Sequence, residues 1–394
     1  MGRVQRHGAV DLTPLVVLGA TGSIGAQTLD VADRLGLPVI GLAAGRWSGG
    51  FAEIAMRYPD AALAVAEDTT SISPDPGLSR QLSRRLDRGP DAVADLAATS
   101  GSTVINGIVG AAGLAPSLAA LHAGNRLGLA NKETMVAGGD LVTAAAASGG
   151  GTLIPIDSEH SALWQCLVGE AAQGVARLVL TASGGPFRGR STAELEGVTP
   201  EQALAHPTWD MGRRISIDSA TLMNKALEVI EAHHLFGIGY DRIEVVVHPQ
   251  SVVHSMVEFV DGSIKAQLGD PDMRGPIQYA ITAPDRIDGH APAPGLAGYT
   301  LTFEEPDRHT FPCLDLGYHA GRRGGVVPAV LNAADEVAVA AFLDGRIRFL
   351  AIAEIVAAVV EGTPDMVAGS VDDVLDADRD ARERTEALVA AAES

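Results

Sequence analysis

The sequence is short of several residue types, and each shortage excludes a class of protein. Two cysteines, Cys166 and Cys313, are too few for a disulfide framework or a thiolate zinc site. Lysine and arginine number 29 against 49 acidic residues, and a net charge of −20 argues against a dedicated nucleic-acid-binding protein. No apolar run is long enough to span a bilayer, and residues 1–11 lack the apolar stretch of a signal peptide. We therefore expect a soluble cytoplasmic protein that contacts neither nucleic acid nor membrane.

Aromatic residues are also scarce, at 4% of the chain, whereas glycine and proline number 45 and 21. Small side chains and tight turns favour an α/β architecture over an aromatic-rich β-sandwich. The 394 residues exceed what one compact core usually holds. Alternating strand and helix patterns predict a doubly wound, Rossmann-like nucleotide-binding domain over 1–150. We expect an α+β catalytic domain over 151–295, a linker over 296–314 and a C-terminal α-helical domain over 315–394.

The first strong motif is a glycine-rich turn between a predicted strand and a predicted helix. The apolar run 15–18 leads into Gly19-Ala20-Thr21-Gly22-Ser23-Ile24-Gly25. Glycines at this spacing let the backbone approach a pyrophosphate, and the helix N-terminus offers free N–H groups. The next strand has no acid to bind a ribose 2′-OH and ends at Gly45-Arg46, where the cation can pair with a 2′-phosphate. The motif predicts NADP rather than NAD; an ordinary turn and a solvated arginine are the alternatives.

Two carboxylates follow the predicted strand that ends at Ile156. Asp157 and Glu159 are two residues apart, so an extended strand end would carry them on one face. Hard oxygen ligands there suit Mg²⁺ or Mn²⁺ rather than Zn²⁺, although a third ligand is needed. The alternative is that Asp157 and Ser158 simply cap the helix that follows.

A helical pattern from Ser219 to Phe236 is the candidate source of that third ligand. It places Asn224 and Glu228 on one face, with Lys225 adjacent. It also places Ser219 near the helix N-terminus, where an anion is stabilised. A surface ion pair between Lys225 and Glu228 is the more frequent explanation of such spacing.

A glycine-rich segment between these two regions is typical of a mobile loop. It starts near Ser183 and continues through His206 and Trp209 to Gly212. Glycines near both ends predict a lid over about 183–213. A phosphate-binding loop and a plain surface loop both fit the first part of this segment.

Several stretches in chain order resemble the family of 1-deoxy-D-xylulose 5-phosphate reductoisomerases. The matching stretches are GATGSIGAQT at 19–28, GLANKETMVAGG at 128–139, PIDSEHSALWQCL at 155–167, TASGGPFR at 181–188, HPTWDMGRRISIDSATLMNKALEVIE at 206–231 and VVHPQSVVHSMVEFVDGS at 246–263. The resemblance is weaker over 50–100 and over the last 80 residues. Two departures stand out: Trp47 replaces an asparagine that many members carry, and Ala226 replaces the usual glycine.

The resemblance implies an enzyme with a defined reaction. Its members convert a ketose phosphate, by rearrangement to a branched aldehyde and reduction by NADPH, to 2-C-methyl-D-erythritol 4-phosphate in isoprenoid precursor synthesis. It implies NADPH and one divalent cation, Mg²⁺ or Mn²⁺, in each subunit. The expected partner is the small sugar phosphate, and the expected assembly is a homodimer.

The resemblance also implies roles for individual residues. Asp157, Glu159 and Glu228 would hold the metal, and Lys132 would stand near the same substrate oxygens, which makes these four the candidate catalytic residues. The candidate substrate-binding residues are Lys132, Ser158, Glu159, Ser183, His206, Trp209, Ser219, Asn224, Lys225 and Glu228. The candidate cofactor-binding residues are Gly19, Thr21, Gly22, Ser23, Ile24, Gly25, Gly45, Arg46, Asn131, Glu133 and Gly212.

Two other functions compete with this interpretation. An NADP-dependent semialdehyde dehydrogenase shares the glycine-rich turn but needs a nucleophilic cysteine, and neither Cys166 nor Cys313 has an activating sequence context. A non-enzymatic NADP sensor needs only the turn and leaves the three carboxylates unexplained.

Overall fold

The computed structural model describes residues 12–67, 79–209, 211–289 and 295–393. The expectation about a signal peptide concerns residues 1–11, which lie outside these ranges. No helix in the described ranges combines the length and the apolar character that a membrane crossing requires.

A parallel sheet of seven strands forms the N-terminal half of the molecule. Its strands are β1 (Leu15–Leu18), β2 (Val39–Ala44), β3 (Ala62–Val65), β4 (Leu86–Arg88), β5 (Thr103–Asn106), β6 (Arg126–Leu129) and β7 (Thr152–Pro155). The helices along this part of the chain are α1 (Ser23–Leu35), α2 (Gly49–Arg57), α3 (Arg80–Ser83), α4 (Pro90–Ala97), α5 (Leu114–His122) and α6 (Lys132–Gly149). The order β4-β3-β2-β1-β5-β6-β7 confirms the predicted doubly wound fold. Because the order reverses beside β1, ligands are expected beyond the carboxyl ends of β1 and β5.

A second, mixed sheet of four strands follows. Its strands are β8 (Val175–Ala182), β9 (Ile243–Val247), β10 (Val253–Phe259) and β11 (Ile264–Leu268), in the order β11-β10-β8-β9. The helices of this region are α7 (Ser158–Leu167), α8 (Thr192–Leu195), α9 (Pro200–Leu204), α10 (Arg213–Thr221), α11 (Met223–Phe236) and α12 (Arg274–Thr282). Strands β8 and β9 are parallel, β10 runs antiparallel to β8, and β11 runs antiparallel to β10.

The boundary that we placed at residue 150 does not coincide with the edge of the first sheet. Strand β7 pairs with β6, with Leu127 opposite Leu153, and so extends the N-terminal sheet beyond that boundary. Further along the chain, α12 returns to pack against α1 and buries Ile277 in the core of the first sheet. The physical reason is burial, because the apolar side of β7 and of α12 is removed from water only against this sheet.

Four helices complete the chain, as the sequence predicts for the C-terminal region. They are α13 (Cys313–Arg323), α14 (Val327–Leu343), α15 (Ala351–Glu361) and α16 (Val371–Ala392). Their apolar side chains share one continuous core with the second sheet and with α11. The C-terminal helices therefore pack directly against the helix that carries Glu228.

One close approach between α11 and α13 lies at Ala226, which occupies the position of the usual glycine. Ala226 is fully buried, and a Cβ built on Gly317 of α13 would stand 2.5 Å from the Ala226 Cβ. The same Cβ would stand 2.7 Å from the Ala226 Cα and 2.8 Å from its carbonyl oxygen, so the backbone at 226 as well as the methyl group excludes a side chain at 317. This departure from the family pattern is accommodated because residue 317 is itself a glycine.

Candidate active site

A cavity lies between the two sheets and collects most of the predicted site residues. The predicted residues that line it are Ser23, Ile24, Lys132, Asp157, Ser158, Glu159, Ser183, His206, Trp209, Gly212, Ser219, Asn224, Lys225 and Glu228. The predicted residues outside its lining are Gly19, Thr21, Gly22, Gly25, Gly45, Arg46, Asn131 and Glu133. The lining also includes Gln27, Ala130 and Ile215, which sequence reasoning missed. The sequence indicates these three residues only by their position, since each lies one to four residues from a predicted site residue.

Three carboxylates converge at the floor of this cavity. Asp157, Glu159 and Glu228 each bring a carboxylate oxygen within 4.8 Å of the other two. Asp157 also caps α7, where its side chain accepts a hydrogen bond of 3.0 Å from the Ser158 N–H. Glu159 lies in the first turn of α7 rather than on an extended strand end, so that expected geometry is wrong. Helix capping and clustering with Glu228 therefore occur together at Asp157.

Two lysines neutralise part of this negative charge. The Lys132 Nζ lies 2.7 Å from Asp157 Oδ2 and 3.0 Å from Glu228 Oε1. The Lys225 Nζ lies 2.7 Å from Glu159 Oε1 and also contacts Glu228. Both ammonium groups and the Glu228 carboxylate are almost completely removed from solvent, so this is a buried cluster and not the surface ion pair of the alternative explanation.

Burial and the neighbouring charges oppose each other at these groups. Burial lowers the pKa of Lys132, but the carboxylates of Asp157 and Glu228 outweigh it and raise that pKa well above its usual value. Burial raises the pKa of Glu228, and the nearby Glu159 carboxylate raises it further. Lys132 therefore stays positively charged. A further cation beside Glu228 would stabilise the charged form of that carboxylate, which burial disfavours.

A histidine and a glutamate behind the cluster were not predicted as site residues. His160 is fully buried; its Nδ1 lies 3.5 Å from Asp157 Oδ2 and 3.4 Å from Glu231 Oε2. Its Nε2 lies 2.9 Å from the Glu228 carbonyl oxygen. Burial lowers the pKa of His160, but Glu231 and Asp157 outweigh it and raise that pKa to about 9. The signal in the sequence is the three-residue spacing from Asp157 and between Glu228 and Glu231, which places side chains on one helix face.

The opposite side of the cavity is formed by the predicted lid. His206 Nδ1 accepts hydrogen bonds from the backbone N–H groups of Thr208 (3.1 Å) and Trp209 (2.9 Å). Burial lowers the pKa of His206, so the ring is neutral and carries its proton on Nε2. That proton points at Ser183 Oγ, 2.9 Å away, which also accepts a 3.2 Å hydrogen bond from the Gly185 N–H. Ser183 Oγ therefore accepts twice and keeps its own hydroxyl proton for a ligand.

The helix predicted from Ser219 to Phe236 is interrupted, which corrects one expectation. Leu222 has a φ of 62° and separates α10 from α11. A left-handed leucine is sterically costly, so the break is held by the packing around it. Ser219 lies in the last turn of α10, and the anion-stabilising helix N-terminus lies instead at Met223, beside Asn224 and Lys225. Ser219 still lines the cavity.

The nucleotide loop is formed mainly by backbone. Gly22 donates a 2.9 Å hydrogen bond to the Gly19 carbonyl, and α1 begins at Ser23 with no side-chain cap and no acidic residue in its first turn. A Cβ on Gly25 would stand 2.4 Å from the Gly19 carbonyl oxygen, so only glycine permits this packing of helix on strand. The first turn of α1 therefore presents N–H groups, unopposed by negative charge, at the switch point of the sheet.

The second part of the predicted cofactor site lies after β2. Gly45 and Arg46 are exposed on the loop between β2 and α2. Trp47, the departure from the family pattern, is buried, and its ring packs edge-on against Phe51 at 5.5 Å between centroids. The substituted residue thus belongs to the core, while the cation beside it faces solvent.

Asn131 and Glu133 lie next to Lys132 but are bound elsewhere. The Asn131 side chain caps α6 by accepting a 2.8 Å hydrogen bond from the Thr134 N–H, and it donates to the Gly110 carbonyl at 2.9 Å. Glu133 binds Arg214, with 2.8 Å between Oε1 and Nη1. Their roles in cofactor binding stay predictions.

Comparisons with known proteins agree along almost the whole chain. Models of 1-deoxy-D-xylulose 5-phosphate reductoisomerase match residues 15–139, and models of its C-terminal domains match 153–236 and 268–384. A protein of that name from Burkholderia cenocepacia (strain HI2424) is 48% identical over 385 residues, which cover 96% of this chain and 97% of the relative. Its counterpart from Burkholderia pseudomallei (strain 668) is 49% identical over 383 residues, which cover 95% and 96%.

Solved structures of high similarity carry the same name. The reductoisomerase from Zymomonas mobilis in complex with NADPH has a TM-score of 0.87 and 43% identity, covering 96% of this chain and 99% of that one. A DOX-P reductoisomerase in complex with NADPH, fosmidomycin and magnesium has a TM-score of 0.87 and 37% identity, covering 96% and 98%.

Proposed function

The chain belongs to the 1-deoxy-D-xylulose 5-phosphate reductoisomerase family, and from that membership we propose how its own residues carry out the reaction. The reaction is the NADPH- and divalent-metal-dependent conversion of 1-deoxy-D-xylulose 5-phosphate to 2-C-methyl-D-erythritol 4-phosphate. The ketose phosphate rearranges to a branched aldehyde, and hydride from NADPH reduces that aldehyde. The observation that carries the residue assignment is the cavity where three carboxylates and two ammonium groups meet beside the nucleotide loop.

We assign the metal to Asp157, Glu159 and Glu228. Three hard oxygen donors within 4.8 Å fit a divalent cation such as Mg²⁺, and a cation there would offset the burial and the Glu159 repulsion that raise the pKa of Glu228. The other group with suitable spacing, formed by Asp157, His160 and Glu231, is a poorer site for Mg²⁺ because one of its three donors is an imidazole nitrogen, a softer ligand than a carboxylate oxygen. When bound, the cation polarises the substrate carbonyl and stabilises negative charge on oxygen.

Lys132 is assigned to the substrate oxygens next to the carboxylates. Its ammonium group lines the cavity and keeps its proton, because Asp157 and Glu228 hold its pKa high. A fixed positive charge in a site that excludes water stabilises an oxyanion more strongly than the same charge in bulk solvent. Lys132 can therefore stabilise the oxygen on which charge develops during rearrangement, and its Nζ–H can donate to that oxygen.

The substrate phosphate is assigned to the part of the cavity between Ser183, Ser219 and the first turn of α11, next to the carboxylates. Ser183 supports this because its hydroxyl proton is free to donate, as the contacts of its Oγ show. Asn224 and Lys225 support it because they lie in the first turn of α11, whose N-terminus attracts an anion. Ser219 completes the set from the last turn of α10.

The remaining assignments concern the cofactor and the lid. The α1 N-terminus would bind the pyrophosphate, and Arg46 would bind the 2′-phosphate of NADPH. His206 would hold Ser183 in place, and Trp209, whose ring lies 6.1 Å from that of His254, would cover the substrate. A lid that excludes water protects the branched aldehyde until hydride transfer.

We further propose a homodimer that joins through the second sheet. Strand β11 is an edge strand, and Ile264 on it is 58% exposed. Exposed apolar side chains at Tyr299, Leu301 and Phe303 lie in the predicted linker, which pairs with the other edge of this sheet through Glu304 and Val247. Analytical ultracentrifugation tests this: the chain should sediment with twice its mass of 40.6 kDa, and Ile264→Lys should weaken that association. The cytoplasmic location stays a prediction.

The experiment that tests the function is NADPH oxidation with the ketose phosphate. Turnover should cease after metal removal by EDTA and return when Mg²⁺ or Mn²⁺ is added back. Turnover that persists in protein shown by elemental analysis to be metal-free would contradict the metal assignment. NADPH binding, followed by its fluorescence, should continue in the metal-free protein.

The semialdehyde dehydrogenase alternative is not supported by the cysteines. Cys166 and Cys313 are both buried, and burial raises the pKa of both thiols, which opposes thiolate formation. Full turnover of the Cys166→Ala, Cys313→Ala double variant is the expected result.

A further inference from the structure

Arg214 lies outside the cavity lining and forms ion pairs with acidic residues of two other helices. Its Nη1 lies 2.8 Å from Glu133 Oε1 of α6 and 2.8 Å from Glu336 Oε1 of α14. Its Nη2 donates to Asn332 Oδ1 at 2.7 Å, and Asp335 Oδ2 lies 3.4 Å away. The side chain is 17% exposed, so these contacts are formed largely out of water. One guanidinium therefore joins α6, α10 and α14.

The elements that Arg214 joins are those that carry the site. Glu133 directly follows Lys132, so the two neighbouring side chains hold the first turn of α6 from opposite sides: Lys132 by the carboxylate cluster and Glu133 by Arg214. Arg214 is the second residue of α10, two positions after Gly212, where the predicted lid ends. The guanidinium thus fixes the C-terminal end of the lid to the helix that presents Lys132.

The same network reaches the loop after β5 and the C-terminal helix α16. A Cβ built on Gly110, which follows β5, would stand 3.0 Å from Glu336 Oε1. The Gly110 carbonyl accepts from the Asn131 side chain, the cap of α6. On its other side, Glu336 forms an ion pair with Arg382 of α16. The C-terminal helices therefore support the start of α6 through a continuous set of ion pairs.

We infer that Arg214 is a positioning residue for the proposed reaction, which holds the end of the lid and the Lys132 turn in one arrangement without touching substrate. The inference rests on the proposed function, because it assigns Arg214 an effect on turnover. A planar fork with several donors suits this role, since from α10 it can satisfy acceptors on both α6 and α14 at once, whereas a lysine offers one charged point. Misplacement of a catalytic group by about 1 Å can lower turnover by about 100-fold.

The test compares Arg214→Met with Arg323→Met, a matched control. Arg323 is 19% exposed, pairs with Asp365 and donates to backbone carbonyls of α15 and the following turn, and none of these contacts, within the part of the chain that the structure describes, involves α6 or α10. Both variants should lose thermal stability. Only Arg214→Met should lose kcat, by about 10- to 100-fold, with NADPH affinity changed less than threefold. The inference is overturned if Arg214→Met keeps kcat within twofold of the parent, or if Arg323→Met loses as much kcat.

Arg214→Lys keeps the inference testable if the methionine variant does not fold. It retains the buried positive charge, so we expect thermal stability close to that of the parent, but it cannot hold three helices together. We expect kcat to fall about fivefold to tenfold while the folded fraction stays constant. A parental kcat in Arg214→Lys would show that the planar guanidinium is not needed to position Lys132 and the lid. Failure of the proposed function can be told apart from failure of this inference by assaying the parent protein. If the proposed function is wrong, the parent protein shows no metal-dependent NADPH oxidation.

Discussion

In the nucleotide half of the cleft the closest contacts are made by backbone, whereas in the carboxylate half they are made by buried side chains. Gly25 leaves no space for a Cβ beside the Gly19 carbonyl, and α1 starts without a side-chain cap. Across the cavity, Glu228 is fully buried and contacts both Lys132 and Lys225. One half therefore depends on the path of the chain, and the other depends on the charge of individual atoms.

This difference predicts which change damages which half. Replacing one carboxylate oxygen by nitrogen keeps the shape but removes a charge, so it should affect the buried cluster and leave the loop unchanged. Adding one methyl group keeps every charge but displaces the backbone, so it should affect the loop and leave the cluster unchanged.

The largest effect is expected for Glu228→Gln. The substitution removes one anionic group of the proposed metal site, so turnover should fall by roughly 1000-fold. NADPH affinity, measured by fluorescence titration, should stay within twofold because the loop is formed elsewhere. Glu258→Gln, on the surface of β10 beside Arg177, is the control and should keep full turnover. Wild-type turnover in Glu228→Gln would show that the carboxylate half does not depend on the charge of Glu228.

Gly25→Ala tests the opposite half. Alanine favours helix, yet its Cβ would stand 2.4 Å from the Gly19 carbonyl oxygen, so the loop must shift. The Kd for NADPH should rise by about 10- to 100-fold, which corresponds to about 1.4–2.7 kcal/mol. Gly50→Ala in α2 is the matched control, because a Cβ there meets nothing within 4 Å. Equal losses in both variants would show that the close packing at Gly25 is not what matters.

Arg46→Ala sharpens the comparison within the nucleotide half, since Arg46 is the cation proposed there for the 2′-phosphate of NADPH. Affinity for NADPH should fall about tenfold, while affinity for NADH should stay the same, because only NADPH carries the 2′-phosphate. Arg80→Ala, an exposed arginine at the start of α3, controls for the change in net charge. An equal loss for both dinucleotides would reject the 2′-phosphate role.

The smallest effect concerns the buried charges outside the cleft. Burial raises the pKa of Asp218 well above its usual value, and burial raises the pKa of its neighbour Asp335 to about 6. The folded state thus binds a proton more tightly than the unfolded state, so this pair costs stability as the pH rises from about 4 through 6. Asp218→Asn should be more stable than the parent by about 1–2 kcal/mol at pH 8 and equal to it near pH 4.

Denaturant unfolding at the two pH values measures this difference. Asp344→Asn, at the exposed C-terminal end of α14, is the control and should behave like the parent at both pH values. A variant that is less stable than the parent at pH 8 would show that Asp218 is ionised in the folded protein.

How much could be predicted differs between the two halves for the same physical reason. The sequence predicts the nucleotide loop because its glycines, its strand and its helix are contiguous in the chain. The sequence predicts only part of the carboxylate cluster. Asp157 and Glu159 lie two residues apart, but Glu228 comes from a helix 69 residues after Glu159. Only the family resemblance assigned Glu228 to the metal. Ser219 was placed at the wrong end of a helix because no local pattern signals a leucine with positive φ.

Contacts between helices that are distant in the chain have no local sequence pattern that predicts them. Arg214 meets Glu133 across 81 residues and Glu336 across 122 residues, so its role emerges only when α6, α10 and α14 are packed together. Strand β7 was assigned to the following region for a related reason, because an apolar strand does not indicate which sheet it joins. The fold class needed only periodicity, whereas these assignments needed the topology.

The contact between Ala226 and Gly317 constrains the spacing of two helices. A Cβ on residue 317 would stand 2.5 Å from the Ala226 Cβ, 2.7 Å from its Cα and 2.8 Å from its carbonyl oxygen. The close approach of α11 and α13 therefore requires glycine at 317 whichever small residue stands at 226. Any larger residue at 317 would push the helix that carries Glu228 away from the C-terminal helices, so redesign of either segment has to preserve this spacing.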